Sequence, residues 1–290
     1  MNQIKLWALG ARPKTLFAAI SPIIAATFYT LYVDQFDLTL TFLALVVALA
    51  LQVGVNYAND YSDGIRGTDA ERVGPIRLVG QKLASPKSVK RAAFISFGFA
   101  AIAGLLITVL ISEFWILLVG LSAIVSAWFY TGGKRPYGYA GFGEVFVFVY
   151  FGLVATIGTV YIQTKMIDTE SFILGSAMGS FAVAILLANN LRDVQKDTLV
   201  NKRTLAVLIG AKKTRLLLFV VLLKPFFNLS FFMYFFDANV WPALFALLWL
   251  VGPILKVGKG ASGKALIPIL VKTGQAQFLF SMLLLFSLFF

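Results

Sequence analysis

The sequence predicts an all-α integral membrane protein with about nine transmembrane helices in a helical bundle, a cytoplasmic N-terminus and a C-terminus outside. Of its 290 residues, 59% are hydrophobic and only 13% are charged, whereas a soluble domain carries about 25% charged residues. Long apolar runs alternate with short polar breaks, and the basic residues fall on one side of the expected membrane. Because no long hydrophilic stretch occurs, residues 1–290 are expected to form a single polytopic domain.

Nine apolar runs are candidates for spans, because a helix needs about 20 mostly apolar residues to cross a bilayer. The shortest breaks are "SEF" at 112–114 and "FDAN" at 236–239. Without these breaks, the runs around them would be far too long for single spans. The predicted spans cover residues 14–33, 38–59, 91–112, 114–131, 142–163, 170–191, 214–236, 239–257 and 266–289.

The distribution of charge indicates the orientation. With nine spans, 22 of the 25 lysines and arginines lie in the N-terminus or in the loops after spans two, four, six and eight. Basic loops stay in the cytoplasm, so this side should face inward. The same rule accounts for the net charge of +12. The short chain and the absence of a transit peptide lead us to expect a multi-pass protein of the plasma membrane. We expect no nucleic-acid partner, because the basic loops contain no recognition fold.

The absence of cysteine and histidine restricts the chemistry. Without cysteine there are no disulfides and no thiol nucleophile. Without histidine the protein lacks the commonest general base and the commonest transition-metal ligand. Any bound metal should therefore be a hard ion held by oxygen ligands.

Two polar clusters follow spans two and six: "NYANDYSDGIRGTD" at 56–69 and "NNLRDVQKD" at 189–197. Residues three or four positions apart share a helix face. If the two helix ends converge, at least four carboxylates meet at the cytoplasmic membrane surface, and they repel one another unless a cation neutralises them. Mg²⁺ is the best candidate. The expected metal ligands are Asn56, Asp60, Asp63, Asn189, Asp193 and Asp197, and Asp69 is either a second-sphere residue or a solvated charge.

Basic residues occupy the same two loops as the carboxylates. If carboxylates bind the metal and the metal binds phosphate, cationic side chains can take the remaining phosphate oxygens. This combination predicts a diphosphate site, and its place at the bilayer boundary suggests a ligand with a diphosphate head and a hydrocarbon tail. The cationic candidates in the two loops are Arg66, Arg77, Lys82, Arg192, Lys202 and Arg203.

These motifs resemble the two aspartate-rich motifs of the UbiA superfamily of intramembrane aromatic prenyltransferases. Supporting matches are "ARPKTL" at 11–16 and "YTGGKRPYGYAGFGE" at 130–144. The resemblance covers nearly the whole chain. Within the superfamily it is closest to the 1,4-dihydroxy-2-naphthoate polyprenyltransferases of menaquinone biosynthesis. The spacing D-x2-D-x5-D from Asp60 and the R-x-G-P-x-R pattern ending at Arg77 support that choice.

The resemblance implies Mg²⁺-dependent transfer of a polyprenyl group from polyprenyl diphosphate to an aromatic acid acceptor at the cytoplasmic face of the lipid bilayer. With the naphthoate acceptor, CO₂ and diphosphate leave and demethylmenaquinone forms. The resemblance also places Tyr130 and Lys134 near the diphosphate or the acceptor, and Arg12 near the acceptor carboxylate. One position departs from the pattern: Gly64 stands where many members have a further aspartate, so Asp63 is expected to replace it.

Other functions fit parts of the sequence. Within the superfamily, the acceptor could instead be homogentisate, 4-hydroxybenzoate or a haem ring, because short motifs do not define the acceptor pocket. A cation-coupled transporter would hold its acidic site near the bilayer midplane, whereas both clusters here lie at predicted cytoplasmic ends. A phospholipid-type alcohol phosphotransferase shares only the opening pair of "DGIRGTD".

Overall fold

The computed structural model describes residues 2–67, 76–236 and 238–290. These residues are mainly α-helical and contain no β-strand, which confirms the all-α fold. A π-helical segment, Val149–Val154, joins α6 to α7. The α-helices are α1 Gln3–Gly10, α2 Leu16–Tyr32, α3 Leu38–Ile65, α4 Pro86–Ile111, α5 Ile116–Phe129, α6 Gly143–Phe148, α7 Ala155–Thr164, α8 Thr169–Leu199, α9 Leu205–Phe236, α10 Ala246–Gly258 and α11 Leu266–Phe286.

Among the described residues, eight helical stretches are long and apolar enough to cross a membrane. They correspond to eight of the nine predicted spans. The remaining one, predicted at 114–131, is the 14-residue helix α5, which at 1.5 Å per residue is about 21 Å long and shorter than a hydrocarbon core of about 30 Å. The chain is an integral membrane protein, while the count of nine spans and the orientation of the termini stay predictions.

The two helices that carry the polar clusters are longer than predicted. Helix α3 continues to Ile65 rather than ending near residue 59, and α8 continues to Leu199 rather than ending near residue 191. Hydropathy marks where the apolar run stops, but the backbone hydrogen bonds of these helices continue through the polar residues. The clusters therefore lie on the final turns of helices, where the face they share is defined.

The first of two compact units consists of Met1–Leu16 and Leu43–Ala140. Its core combines side chains of α1, α3 and α4 with Leu78 and Val79 from the segment that precedes α4. The packing of α3 against α4 is close, because a Cβ atom on Gly54 would lie 2.4 Å from the ring of Phe97.

The second unit consists of Phe17–Phe42 and Gly141–Phe290, and α8 is its most buried span. Phe181 of α8 makes edge-to-face ring contacts with Phe226 of α9 and Phe280 of α11. Several polar side chains inside this unit bond one another, which suits a region where lipid offers no hydrogen-bond partners. Tyr29 donates a 2.6 Å hydrogen bond to Asp168, whose other oxygen caps the first turn of α8 by accepting from the Ser171 amide.

The π-helical segment packs against α8 at a contact of small residues. A Cβ atom on Gly152 would lie 2.4 Å from Cα of Gly179 and 2.6 Å from the carbonyl oxygen of Gly175. Small residues four positions apart let helix backbones approach closely in membranes. Both contacting groups are backbone atoms, so they cannot rotate away from an added side chain.

We therefore expect Gly152→Ala to lower the thermal midpoint of the purified protein, because its methyl group forces two backbones apart at a cost of about 1–3 kcal/mol. Gly158→Ala on α7 is the matched control. Beyond the adjoining turns of its own helix, no described residue lies within 4 Å of the place that a Cβ atom would take there, and alanine favours helix by up to about 1 kcal/mol. Thermal unfolding in detergent measures both variants, and equal midpoints would contradict the close contact.

Candidate functional site

The last turns of α3 bury three of the predicted metal ligands in the first unit. Asn56, Asp60 and Asp63 are 3%, 0% and 2% exposed. Their spacing of four and three residues within an uninterrupted helix places them on one face, as predicted. Each makes hydrogen bonds to a different neighbouring segment, so this helix end organises the polar part of the first unit.

Asp60 holds the segment that follows the first cluster. Its Oδ2 accepts a 2.7 Å hydrogen bond from the Leu78 amide, and its Oδ1 accepts a 3.1 Å bond from the Val79 amide. The chain then turns back, with the Leu83 amide donating to the Leu78 carbonyl at 2.8 Å. We refer to residues 76–85 as the strap. Arg77, a predicted diphosphate ligand, is a buried residue of this strap.

The strap also explains the glycine that departs from the family pattern. A Cβ atom on Gly64 would lie 2.5 Å from Cγ1 of Val79 and 3.2 Å from the Gly80 amide nitrogen. A side chain at position 64 would therefore collide with the strap that Asp60 holds. Asp63 stands one position earlier, where the structure has room for a carboxylate.

Asp63 and its neighbours bind the segment that follows α5. Tyr139 donates a 2.7 Å hydrogen bond to Oδ1 of Asp63, and Thr131 donates a 2.8 Å bond to Oδ1 of Asn59. Arg66 donates to the carbonyls of Thr131 and Gly133, and its guanidinium carbon lies 5.2 Å from the centre of the Tyr139 ring. Arg66, predicted to bind diphosphate, thus also fixes a turn of the backbone.

Asn56 connects α3 to the turn that contains Arg12. Its amide nitrogen donates to the Ala11 carbonyl at 2.8 Å and to Oγ1 of Thr15 at 2.9 Å. Arg12 has a left-handed backbone, with φ of 56°, and donates a 3.4 Å hydrogen bond to the Asn56 carbonyl. The structure therefore brings the predicted acceptor-binding residue Arg12 to the predicted ligand Asn56.

The end of α8 presents the second carboxylate pair. Asp193 and Asp197 are both 8% exposed. Arg192 donates to both oxygens of Asp193, at 2.6 and 2.7 Å, and to Oδ1 of Asn189 at 2.8 Å. The backbone amide of Lys202 donates to the Asp197 carbonyl at 2.8 Å. Cationic and acidic candidates of the second unit are therefore neighbours, as the sequence predicts.

Sequence reasoning missed Tyr139, Asn190 and Glu144. Asn190 of α8 is buried and donates a 2.9 Å hydrogen bond to Oε1 of the buried Glu144. The doubled asparagine in "NNLRD" was a signal for Asn190, but only its first member fits the N-x3-D spacing. Glu144 opens a span, where the helix dipole already favours an acid, so nothing in the sequence distinguished it.

Three other predicted site residues are Lys134, Tyr130 and Asp69. Lys134, a predicted diphosphate ligand, is exposed. Tyr130 makes an edge-to-face contact with Tyr137, with ring centres 5.5 Å apart. Asp69 lies outside the described residues.

The donor atoms of each unit fit Mg²⁺. Mg²⁺ in proteins is typically bound by one or two carboxylates, with substrate phosphates and water completing its shell. Each helix end offers a pair of buried carboxylates. Arg192 bonds Asp193 at the end of α8, and Arg66 directly follows the last residue of α3. Within residues 2–67, 76–236 and 238–290, no group of three or more acidic side chains forms a ready-made metal site. The expected convergence of the two pairs remains a prediction.

Comparisons with known proteins agree with the motifs. The profile of the UbiA prenyltransferase family matches residues 8–264. The 1,4-dihydroxy-2-naphthoate octaprenyltransferase of Mycobacterium tuberculosis is 44% identical, over 97% of this chain and 96% of the relative. The protein of the same description from Escherichia coli is 32% identical, over 100% of this chain and 96% of the relative.

Solved structures share the fold at low sequence identity. A UbiA homologue from Archaeoglobus fulgidus, bound to GPP and Mg²⁺, aligns with a TM-score of 0.71 and 13% identity, covering 98% of this chain and 99% of that one. The apo structure of a UbiA homologue from Aeropyrum pernix K1 aligns with a TM-score of 0.68 and 10% identity, covering 100% and 98%.

The contacts of Asp60 predict that Asp60→Asn destabilises the protein. Asparagine keeps one acceptor oxygen and turns an N–H₂ group toward a buried backbone amide, which costs about 1–3 kcal/mol. Asp34→Asn is the control, because Asp34 is exposed and its left-handed backbone suits asparagine. Thermal midpoints of the purified variants without ligand test this. A loss for Asp34→Asn as large as that for Asp60→Asn would contradict it.

Proposed function

The chain belongs to the UbiA prenyltransferase family and is a prenyltransferase, and we propose that it transfers a polyprenyl group from polyprenyl diphosphate to 1,4-dihydroxy-2-naphthoate. The acceptor is inferred from the relatives, which are described as 1,4-dihydroxy-2-naphthoate octaprenyltransferases and align over nearly the full chain. The reaction would take place at the cytoplasmic face of the plasma membrane.

One structural observation carries the proposal. Each unit contains a long apolar helix whose last turns carry two buried carboxylates on one face. Arginine side chains, Arg192 on α8 and Arg66 after α3, lie at the same helix ends. We propose that the pair on α3 and the pair on α8 serve one Mg²⁺-bound diphosphate. Bound Mg²⁺ would neutralise charge that develops on the diphosphate as the allylic C–O bond breaks.

The chain's own cations would act on the same leaving group. Guanidinium groups bind phosphate oxygens through paired N–H donors, and Arg192 and Arg77 are held by helix α8 and by the strap, respectively. Lys202 and Lys134 would supply further positive charge. Arg66, which among the described residues bonds the carbonyls of Thr131 and Gly133, would add another guanidinium. Fixed charges of this kind stabilise a leaving anion without reorganising during the reaction.

The aromatic acceptor would attack the allylic cation with a ring carbon. In the naphthoate case, the carbon that bears the carboxylate would form the new C–C bond, diphosphate would leave with the electron pair of the C–O bond, and loss of CO₂ would return its bonding pair to the ring. The immediate product is the quinol, and its oxidation to demethylmenaquinone is a separate two-electron step. Arg12, which donates to the Asn56 carbonyl, would bind the acceptor carboxylate, and Tyr130 would contact the ring. An electron-rich ring needs little help from a base, which is compatible with the absence of histidine.

The carboxylates of α8 give the sharpest test of this proposal. Asp193→Asn and Asp197→Asn should each lower kcat by about 10²–10³-fold, the usual effect of removing electrostatic stabilisation at a reacting group. Asp34→Asn is the control, because Asp34 is exposed and its φ of 55° suits asparagine. Mg²⁺-dependent turnover of purified protein measures all three. Near-normal rates in both α8 variants would refute the role of the metal pair.

The acceptor can be identified directly. Purified protein is incubated with a polyprenyl diphosphate, Mg²⁺ and a panel of aromatic acids that includes 1,4-dihydroxy-2-naphthoate, homogentisate and 4-hydroxybenzoate. Mass spectrometry should show alkylation of the naphthoate with loss of CO₂, and EDTA should abolish the product until Mg²⁺ is added back. Preferential alkylation of another ring would overturn the proposed acceptor while leaving the prenyltransferase reaction intact.

A further inference from the structure

Glu144 is a buried carboxylate that the proposed reaction does not use. It is 6% exposed, and its Oε1 accepts the hydrogen bond from Nδ2 of Asn190. Its Oε2 is buried and accepts no hydrogen bond from any described residue. A helix dipole would stabilise an acid at this position in water, but it does not explain why the acid is buried against α8. Ionisable groups buried in membrane proteins usually serve a function.

Asn190 shares the face of α8 that carries the carboxylate pair. At 3.6 residues per turn, it lies about 20° from Asp197 and about 60° from Asp193 around the helix axis. All three side chains are buried. Oδ1 of the preceding Asn189 already accepts a hydrogen bond from Arg192, whereas Asn190 makes no side-chain hydrogen bond to the described residues except the one to Glu144.

The partner of Asn190 determines which way its amide faces. An asparagine amide has a donor end and an acceptor end. Oε1 of Glu144 accepts from the N–H₂ end, so the amide oxygen Oδ1 is directed away from Glu144. Amide and carboxylate oxygens are both ligands of hard cations, and groups bonded behind a ligand commonly fix its orientation.

We propose that Glu144 is a positioning residue, which holds the Asn190 amide so that its oxygen joins Asp193 and Asp197 in binding the Mg²⁺-diphosphate. This inference rests on the proposed function. Glu144 itself touches neither substrate nor metal and acts through the Nδ2 hydrogen bond.

The test compares Glu144→Gln with the unmodified protein. Glutamine has the same shape but can offer either a donor or an acceptor to Asn190, so the amide is no longer held one way round. We expect the Mg²⁺ concentration for half-maximal activity to rise about 10-fold or more, the usual effect of losing a group behind a metal ligand. The rise in thermal midpoint produced by Mg²⁺ with inorganic pyrophosphate should shrink accordingly.

A double variant distinguishes positioning from general packing. When Glu144→Gln is combined with Asn190→Asp, the introduced glutamine donates to the introduced carboxylate, which again directs an oxygen toward the ion. Mg²⁺ half-saturation and the pyrophosphate-dependent stabilisation should both recover relative to Glu144→Gln. Glu170→Gln is the control, since Glu170 also lies in the first turn of a helix but should leave both measurements unchanged.

The outcomes separate the two proposals. If the unmodified protein is active and stabilised by Mg²⁺ and pyrophosphate, but Glu144→Gln matches it in both measurements, the positioning role is wrong and the proposed function stands. If the unmodified protein shows neither turnover nor stabilisation, the proposed function is wrong, and the inference with it. Should Glu144→Gln not accumulate, Glu144→Asp withdraws the carboxylate from Nδ2 of Asn190 by one methylene group and keeps the proposed ligand in place, with the same expected loss and the same contradicting result.

Discussion

The first unit depends on a carboxylate bound by two backbone amides. Asp60 is fully buried near the end of a transmembrane helix and accepts from consecutive amides of the strap. Backbone amides away from water must find partners, and a buried carboxylate needs donors, so each satisfies the other. The consequence reaches along α3: the strap packs on Gly64, Asn56 holds the Arg12 turn, and Asp63 binds Tyr139. Chain segments that would be loops in a hydropathy profile are thereby bonded to one helix end.

In the second unit, side chains are hydrogen-bond partners of three acidic residues. Glu144 bonds Asn190, Asp193 bonds Arg192, and Asp168 joins Tyr29 to the start of α8. In a bundle surrounded by lipid, these contacts replace the water that would otherwise solvate the groups. They also limit how the side chains can rotate. Restrained carboxylates bind a divalent ion more tightly, because their side chains lose less conformational freedom when the ion binds.

The helices and the polar clusters could be predicted from the sequence because both are local properties. An apolar run of about 20 residues has few alternatives to a span, and N-x3-D spacing defines a face once the segment is helical. The contacts that give individual residues their roles are not local. Asp60 bonds a strap 18 residues away, Glu144 bonds Asn190 across 46 residues, and Tyr139 reaches Asp63 across 76. Nothing near Gly64 in the sequence reveals that Val79 occupies the space of a side chain.

The same residues therefore hold the fold and are expected to perform the chemistry, and this affects how their substitution is interpreted. Removing Asp60 releases two backbone amides as well as a proposed metal ligand, so lost activity alone cannot assign it a catalytic role. A carboxylate oxygen has two lone pairs. One of them can accept a hydrogen bond from a backbone amide while the other binds an ion. The two roles can be separated by measuring stability with and without ligand. A ligand that binds only the folded protein raises the free energy of unfolding by an amount set by the ratio of ligand concentration to Kd. A variant that loses stability without ligand has lost a structural contact, and one that loses only the ligand-dependent increment has lost a binding group.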